Sequence, residues 1–160
     1  MADLRLHLDG RDLVVQAEPW WTLAQALRQG AACLSVKVAC GEGGCGACAV
    51  TVDGQVVHAC LYPALRADGA RIETAAGLAD GPVGRSLTER GAPQCGFCIP
   101  GFVVAGTALV RDRGAALTVD EARAALRGNL CRCTGYVSII DAIVAAAAQD
   151  GAADTGGQGP

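Results

Sequence analysis

Nine cysteines in 160 residues are the side chains most able to do chemistry: Cys33, Cys40, Cys45, Cys48, Cys60, Cys95, Cys98, Cys131 and Cys133. With Cys33 set aside they fall into two quartets. The first reads Cys40-x4-Cys45-x2-Cys48 and then Cys60; the second reads Cys95-x2-Cys98 and, after a long gap, Cys131-x-Cys133. C-x4-C-x2-C with a distant fourth cysteine is the spacing that holds a plant-type 2Fe-2S cluster. The intervening loop agrees with that chemistry, running Cys40-Gly41-Glu42-Gly43-Gly44-Cys45-Gly46-Ala47-Cys48. A short loop wrapped around an inorganic core needs positive φ values and close backbone approach, which glycine supplies at little steric cost. A bare backbone also lets N–H groups point at sulfur, which stabilises a negatively charged cluster and tunes its potential.

Other uses of cysteine compete with this reading. Zinc favours C-x2-4-C pairs on separate knuckles, which the first quartet lacks. The second quartet alone, C-x2-C with C-x-C, would make an acceptable S4 tetrahedron for zinc. A disulfide framework needs an oxidising compartment. The start of the chain, Met1-Ala2-Asp3-Leu4-Arg5, lacks the charged-then-apolar pattern of a signal peptide, so a cytoplasmic location is the expectation. There, paired cysteines more often mean metal. Cys33, in Ala31-Ala32-Cys33-Leu34, reads as a small buried apolar residue.

Charge and composition exclude further classes. The net charge is -3, and 12 arginines and one lysine are scattered with no basic run, so no nucleic-acid surface is expected. The apolar runs fall short of the ~20 residues of a membrane helix, so no membrane partner is expected. The apolar share of 51% includes 31 alanines, which contribute little core area. Small, thin cores are usually stapled by disulfides or metals.

The elements that must position these cysteines are readable. Residues 3–17 alternate, with Leu4, Leu6 and Leu8 on one face, a turn at Asp9-Gly10, then Leu13 and Val15; this predicts a hairpin. Thr22 caps a predicted helix from Leu23 to Gln29, ended by Gly30. Ala49 to Val52 and Gln55 to His58 flank a second turn, Asp53-Gly54, and Arg71 to Thr74 reads as a last strand. From about Leu78 the spacing turns helical. Helices are predicted over Pro82 to Arg90, from Pro100 to Gly114, over Glu121 to Arg127 behind a Thr118 capping box, and from Tyr136 to Gln149. Cysteines precede the second and fourth of these. Helix N-termini carry partial positive charge and free N–H groups, so two of them can flank an anionic cluster. The polar, glycine-rich Gly151 to Pro160 reads as a flexible tail.

Four stretches together resemble the small iron–sulfur subunit of the xanthine dehydrogenase family of molybdenum hydroxylases. They are Gly41-Glu42-Gly43-Gly44-Cys45-Gly46-Ala47-Cys48, Gln94-Cys95-Gly96-Phe97-Cys98, Pro100-Gly101-Phe102, and Gly128-Asn129-Leu130-Cys131-Arg132-Cys133-Thr134-Gly135-Tyr136. The resemblance spans roughly residues 3–148. It implies an α+β chain: a plant-ferredoxin-like β-grasp domain over 1–76, an all-α four-helix bundle domain over 77–149, and a flexible tail over 150–160. It implies one 2Fe-2S cluster on Cys40, Cys45, Cys48 and Cys60, and a second on Cys95, Cys98, Cys131 and Cys133.

The same resemblance implies an electron-transfer subunit of an oxidoreductase, with no substrate-converting site of its own. A large partner subunit would hold molybdopterin, in its cytosine dinucleotide form, and a medium partner would hold FAD, within a dimer of heterotrimers. Electrons would pass from molybdenum through the helical-domain cluster and the other cluster to flavin. Gln94 and Cys133 match residues that contact the pterin, and Glu42, Gly43 and Gly44 match the flavin-facing loop. Arg132, between two ligands, can offset cluster charge or bind a partner carboxylate. The chain departs from the family pattern at Ser35-Val36, Ala39, Ala49, Ile99 and Val104, none of them a ligand. The alternative function is a free two-cluster ferredoxin; a zinc-binding interaction module is a third. Trp20-Trp21 reads equally as a subunit contact or as packing on the sheet, and His7 and His58 as ordinary strand residues.

Overall fold

The computed structural model describes residues 1–154. Its first half is a mixed five-stranded sheet built from two hairpins and a joining strand, in the order β2-β1-β5-β3-β4. β1 (Ala2–Leu8) pairs antiparallel with β2 (Arg11–Ala17), and β3 (Ala49–Val52) pairs antiparallel with β4 (Gln55–His58). Both turns fall at the Asp-Gly pairs, with φ of 48° and 82° at Asp9-Gly10 and 50° and 83° at Asp53-Gly54. Two successive left-handed residues give the turn whose twist matches the flanking strands. β5 (Arg71–Glu73) enters between the hairpins, parallel to β1 and antiparallel to β3, and so makes one sheet of them.

Leu4, Leu6, Leu8, Val15 and Ala17 point to one face, and α1 (Leu23–Gln25) covers it with the buried Leu23 and Ala24. The predicted cap forms as a reciprocal box. The Gln25 N–H donates to Thr22 Oγ1 at 3.3 Å, and the Thr22 N–H donates to Gln25 Oε1 at 2.8 Å. The helix is shorter than its spacing predicts. From Ala26 to Gly30 it widens into a π turn, and the Ala31 N–H reaches back to the Ala26 carbonyl at 3.0 Å. A close approach to β2 accompanies the widening: a Cβ on Gly30 would sit 2.0 Å from Val15 Cγ1.

The second half is helical: α2 (Ala75–Leu78), α3 (Pro82–Glu89), α4 (Ile99–Arg113), α5 (Val119–Ala125) and α6 (Val137–Asp154). α3, α4 and α6 start within a residue of where the spacing predicts them; α5 runs two residues earlier than the predicted Glu121 to Arg127, because Thr118 as its N-cap starts it at Val119. The short α2 was not predicted: Thr74, read as the end of a strand, instead caps it by accepting from the Ala76 N–H at 3.2 Å. The backbone of α6 runs on to Asp154, past the predicted end at Gln149, because alanines support the helix and one glycine costs it only ~1 kcal/mol. The rest of the predicted tail, 155–160, lies outside the described residues. No described helix is long and apolar enough to cross a membrane.

α4 lies at the centre of the molecule. It packs on α2, α3 and α6 within the helical half and on β3 and β4 of the sheet. Phe102, Val104, Ile139 and Ile143 are fully buried around it, and strand residue Ala49 joins this helical core. Polar ties fix the two halves to each other. The Arg111 guanidinium of α4 donates to both Glu73 oxygens of β5, at 2.7 and 3.0 Å, and Thr51 of β3 donates to the same carboxylate. Asp9, in the first turn, accepts from the N–H and hydroxyl of Thr74, each at 2.7 Å.

Candidate metal centres and their junction

The first quartet sits between sheet and helices. Cys40 and Cys45 lie in the glycine-rich loop, Cys48 just before β3, and Cys60 just after β4. The loop takes left-handed φ values of 72° at Gly41, 79° at Gly43 and 73° at Gly46, as a wrapped loop requires. The thiols lie near enough to act on one another: Cys45 helps to lower Cys40, and both Cys60 and Cys45 act on Cys48. Cys40 is ringed by backbone N–H groups. The Glu42 N–H, 3.4 Å from its sulfur, contributes most to bringing its pKa down to about 7, with Cys45 and the N–H groups of Cys45 and Gly44 adding to it. Burial pushes the Cys48 thiol up to about 11. A groove of about 380 Å³ lined by Thr22, Gln25, Arg28, Val38 and Gly41 reaches Cys60 from outside.

The second quartet lies between two helix starts. Cys95 and Cys98 precede α4, and Cys131 and Cys133 precede α6. Here too the thiols act on one another across the two segments, Cys131 and Cys95 both raising Cys98, and Cys95 and Cys131 both raising Cys133. Burial pushes Cys98 up to about 12. Burial acts the same way on Cys131, but the Thr134 hydroxyl and N–H, 3.1 and 3.4 Å from its sulfur, outweigh it and bring that thiol down to about 7. Hydrogen bonding by Cys95 raises Cys133. Cys95 and Cys133 are exposed, whereas Cys98 and Cys131 are half-buried.

The donor set fits a 2Fe-2S cluster, which takes two thiolates at each iron: each quartet supplies four thiols, the first on the glycine-rich loop and strand ends and the second at two helix starts. Loading either quartet would displace thiol protons, and the N–H and hydroxyl donors on Cys40 and Cys131 already favour the thiolate there.

The other residues singled out in the sequence divide. Gln94 is exposed beside Cys95. Glu42 and Gly44 are exposed on the first loop, and Gly43 lies under Leu61. Arg132 is exposed between its flanking ligands. Cys33 joins neither quartet; it is half-buried against the sheet core, with its sulfur 3.2 Å from Ser35 Oγ. The tryptophans separate: Trp21 packs on that core and Trp20 is 75% exposed. His7 pairs with Asp12 on the surface at 2.7 Å. His58 is half-buried, and its Nδ1 has no hydrogen-bond partner.

Three residues of the Gly128–Tyr136 stretch, given no role of their own in the sequence analysis, support the second quartet and its contact with the first loop. Thr134 donates to Cys131. Tyr136 accepts from the Cys131 N–H on its phenolic oxygen at 3.1 Å and takes a φ of 71° to reach it. Asn129 is buried and reaches across to Gly46. A threonine following a ligand cysteine is a signal for the first, since hydroxyls bond locally. Nothing local marks Asn129.

Known proteins resemble this chain along most of its length. Residues 6–79 match the family model of a 2Fe-2S iron-sulfur cluster binding domain, and residues 73–144 match that of a 2Fe-2S binding domain. The xanthine dehydrogenase iron-sulfur-binding subunit of Escherichia coli O157:H7 is 43% identical over 142 residues, covering 86% of this chain and 89% of that one. The nicotine 6-hydroxylase small subunit of Paenarthrobacter nicotinovorans is 38% identical over 152 residues, covering 93% and 92%. Among solved structures, quinoline 2-oxidoreductase from Pseudomonas putida 86 superposes with a TM-score of 0.89 at 36% identity, covering 95% of this chain and 96% of that one.

Proposed function

This chain belongs to the small iron–sulfur subunits of the molybdenum hydroxylases, and from that membership we propose how its two quartets divide the work. Its function is electron transfer within an oxidoreductase complex. Cys40, Cys45, Cys48 and Cys60 hold one 2Fe-2S cluster, and Cys95, Cys98, Cys131 and Cys133 hold the other. The observation that carries this assignment is the setting of each quartet, the first on a loop of left-handed glycines and at two strand ends, the second ahead of two helix starts. When bound, each cluster supplies a carrier that takes up and releases one electron at a time.

The chain's own residues hold, orient and shield these sites. Residues 1–76 form a β-grasp domain of the plant-ferredoxin kind, 77–149 a four-helix bundle, and 150–160 a tail. Two largely separate apolar cores support that division. Electrons enter at the exposed Cys95–Cys133 pair. There Gln94 and Cys133 face the pterin of a large molybdenum-holding partner, which converts substrate. Exposed Phe97, Leu130 and Val137 beside them make this edge suited to burial by another chain. Electrons leave at the first loop, where Glu42, Gly43 and Gly44 face the FAD of a medium partner. The assembly is a dimer of such heterotrimers, in the cytoplasm.

Reduced protein is expected to show two distinct 2Fe-2S signals by electron paramagnetic resonance, with about four irons per chain. One signal, or stoichiometric zinc, would overturn the assignment. Cys60→Ser is expected to leave substrate-driven reduction of the helical-side cluster intact while slowing flavin reduction. Equal loss of both steps would refute the ordering.

A further inference from the structure

The two quartets approach each other where the first loop touches the segment leading into α6. The Leu130 N–H donates to the Cys45 carbonyl at 2.9 Å. Cys45 is a proposed ligand of the first quartet, and Leu130 is bonded directly to Cys131 of the second. One main-chain hydrogen bond therefore joins the two sets of ligands. Of the other polar ties between the halves, Glu73 with Arg111 involves no ligand and no residue next to one, and Asn129 with Gly46 flanks this same contact.

The surroundings hold this contact closed. Asn129, 8% exposed, donates from Nδ2 to the Gly46 carbonyl at 3.4 Å. Its own N–H is anchored on the Leu126 carbonyl at the end of α5, at 2.9 Å. Gly46 leaves no room between them: a Cβ there would lie 2.6 Å from Asn129 Nδ2 and 2.9 Å from the Gly128 oxygen. On its other side the Gly46 carbonyl abuts α4, where a Cβ on Gly101 would lie 2.2 Å from its oxygen. Glycine at both positions lets backbone meet backbone and leaves no space for water.

We propose that electrons cross between the quartets through the Leu130 N–H···O=C Cys45 hydrogen bond, and that Asn129 is the positioning residue that holds it. This rests on the reading that both quartets carry clusters. Tunnelling through bonded atoms and a short hydrogen bond decays more slowly than tunnelling across a gap, so the contact sets the route. The step moves one electron from the Cys131 side to the Cys45 side. No bond is broken and no proton is transferred. The electron comes from substrate oxidised by the large partner and goes on to flavin.

The test replaces the Leu130 amide with an ester in the assembled complex, by incorporating the α-hydroxy analogue of leucine; this removes the N–H and keeps every side chain. Asn129→Ala is the second variant. After mixing with substrate and rapid freezing, paramagnetic resonance follows the two cluster signals separately. The helical-side signal is expected to appear at the unmodified rate and the sheet-side signal several-fold later in both variants, with both midpoint potentials unchanged. In Asn129→Ala the Leu130 amide is expected to exchange hydrogen faster. Unchanged timing in the ester protein would overturn the route, even if Asn129→Ala failed to fold. Slowing in Asn129→Ala accompanied by a shifted potential would overturn its positioning role. If substrate fails to raise the helical-side signal in the unmodified complex, the reading beneath the proposal falls and the proposal falls with it.

Discussion

Replacing Gly101 by alanine opposes two effects whose sizes can be compared. Gly101 lies in the first turn of α4, against the first cysteine loop. The added Cβ would stand 2.2 Å from the Gly46 oxygen, 3.0 Å from the Gly46 carbonyl carbon and 3.1 Å from Ala47 Cα. Non-bonded carbons rest at ~3.5–4.0 Å, so the loop must retreat. All three atoms are backbone, with no flexible end to swing aside. Overpacking of this kind costs ~1–3 kcal/mol, and the backbone contact argues for the upper end. Against it, alanine favours a helix over glycine by ~0.8–1 kcal/mol. The net loss is about 2 kcal/mol, or roughly 4–8 °C in Tm for a chain of this size. Gly106→Ala in the same helix is the control. Its Cβ would meet side-chain atoms only, Ile143 Cδ1 at 3.0 Å and Val83 Cγ1 at 3.2 Å, which can give by a few tenths of an ångström. The helical gain then offsets most of the cost, and Tm is expected to stay within about 2 °C of the unmodified protein. The assay is bleaching of the visible absorbance of cluster-loaded protein on heating, at one scan rate, since cluster loss makes the transition irreversible. A Gly101→Ala midpoint equal to or above that of Gly106→Ala would refute the reasoning.

Three further outcomes follow from particular contacts. Cys33→Ala is expected to keep both cluster signals and the full iron content by metal analysis, and loss of either would make Cys33 a ligand. Arg111 holds the Glu73 carboxyl below its ordinary value of 4.5, chiefly by hydrogen bonding to it. A lowered carboxyl pKa stabilises the fold fully above the unfolded value and loses that contribution as pH falls through the folded one. Both side chains are more than a third exposed, so Glu73→Gln is expected to cost only ~0.5 kcal/mol near neutrality, by matched thermal midpoints, with the difference from the unmodified protein vanishing in acid below the folded pKa. A constant difference across that range would count against the ion pair. Thr118→Ala removes the cap that accepts the Glu121 N–H at 3.3 Å and is expected to cost ~1 kcal/mol, read as a drop of roughly 2–4 °C, with Thr118→Ser restoring most of it.

Features that depend on neighbours in the chain were readable from the sequence. The hairpins were legible because Asp-Gly fixes a two-residue turn and alternation fixes which face is buried. The caps at Thr22 and Thr118 were legible because a capping box is a contact between residues three apart. Helix extents were less so. The widening of α1 goes with a close approach of Gly30 to Val15, a strand residue far away in the chain. Thr74 became a cap because Asp9 accepts both of its donors.

The sequence by itself picked out eight cysteines as candidate ligands in two sets, since ligand spacing and glycine content are properties of the chain read in order. It also pointed to a short, bare loop around the first set and to two helix starts beside the second. Only the tertiary structure decided that the two sets touch. Cys131 lies near enough to raise Cys98, and Cys45 meets Leu130, because α4 packs at once on the sheet and on α6. Those contacts join residues dozens of positions apart, where no local pattern can encode a distance. Asn129 shows the difference most clearly: it is an ordinary loop residue in the sequence, and in the fold it holds the point where the two quartets meet.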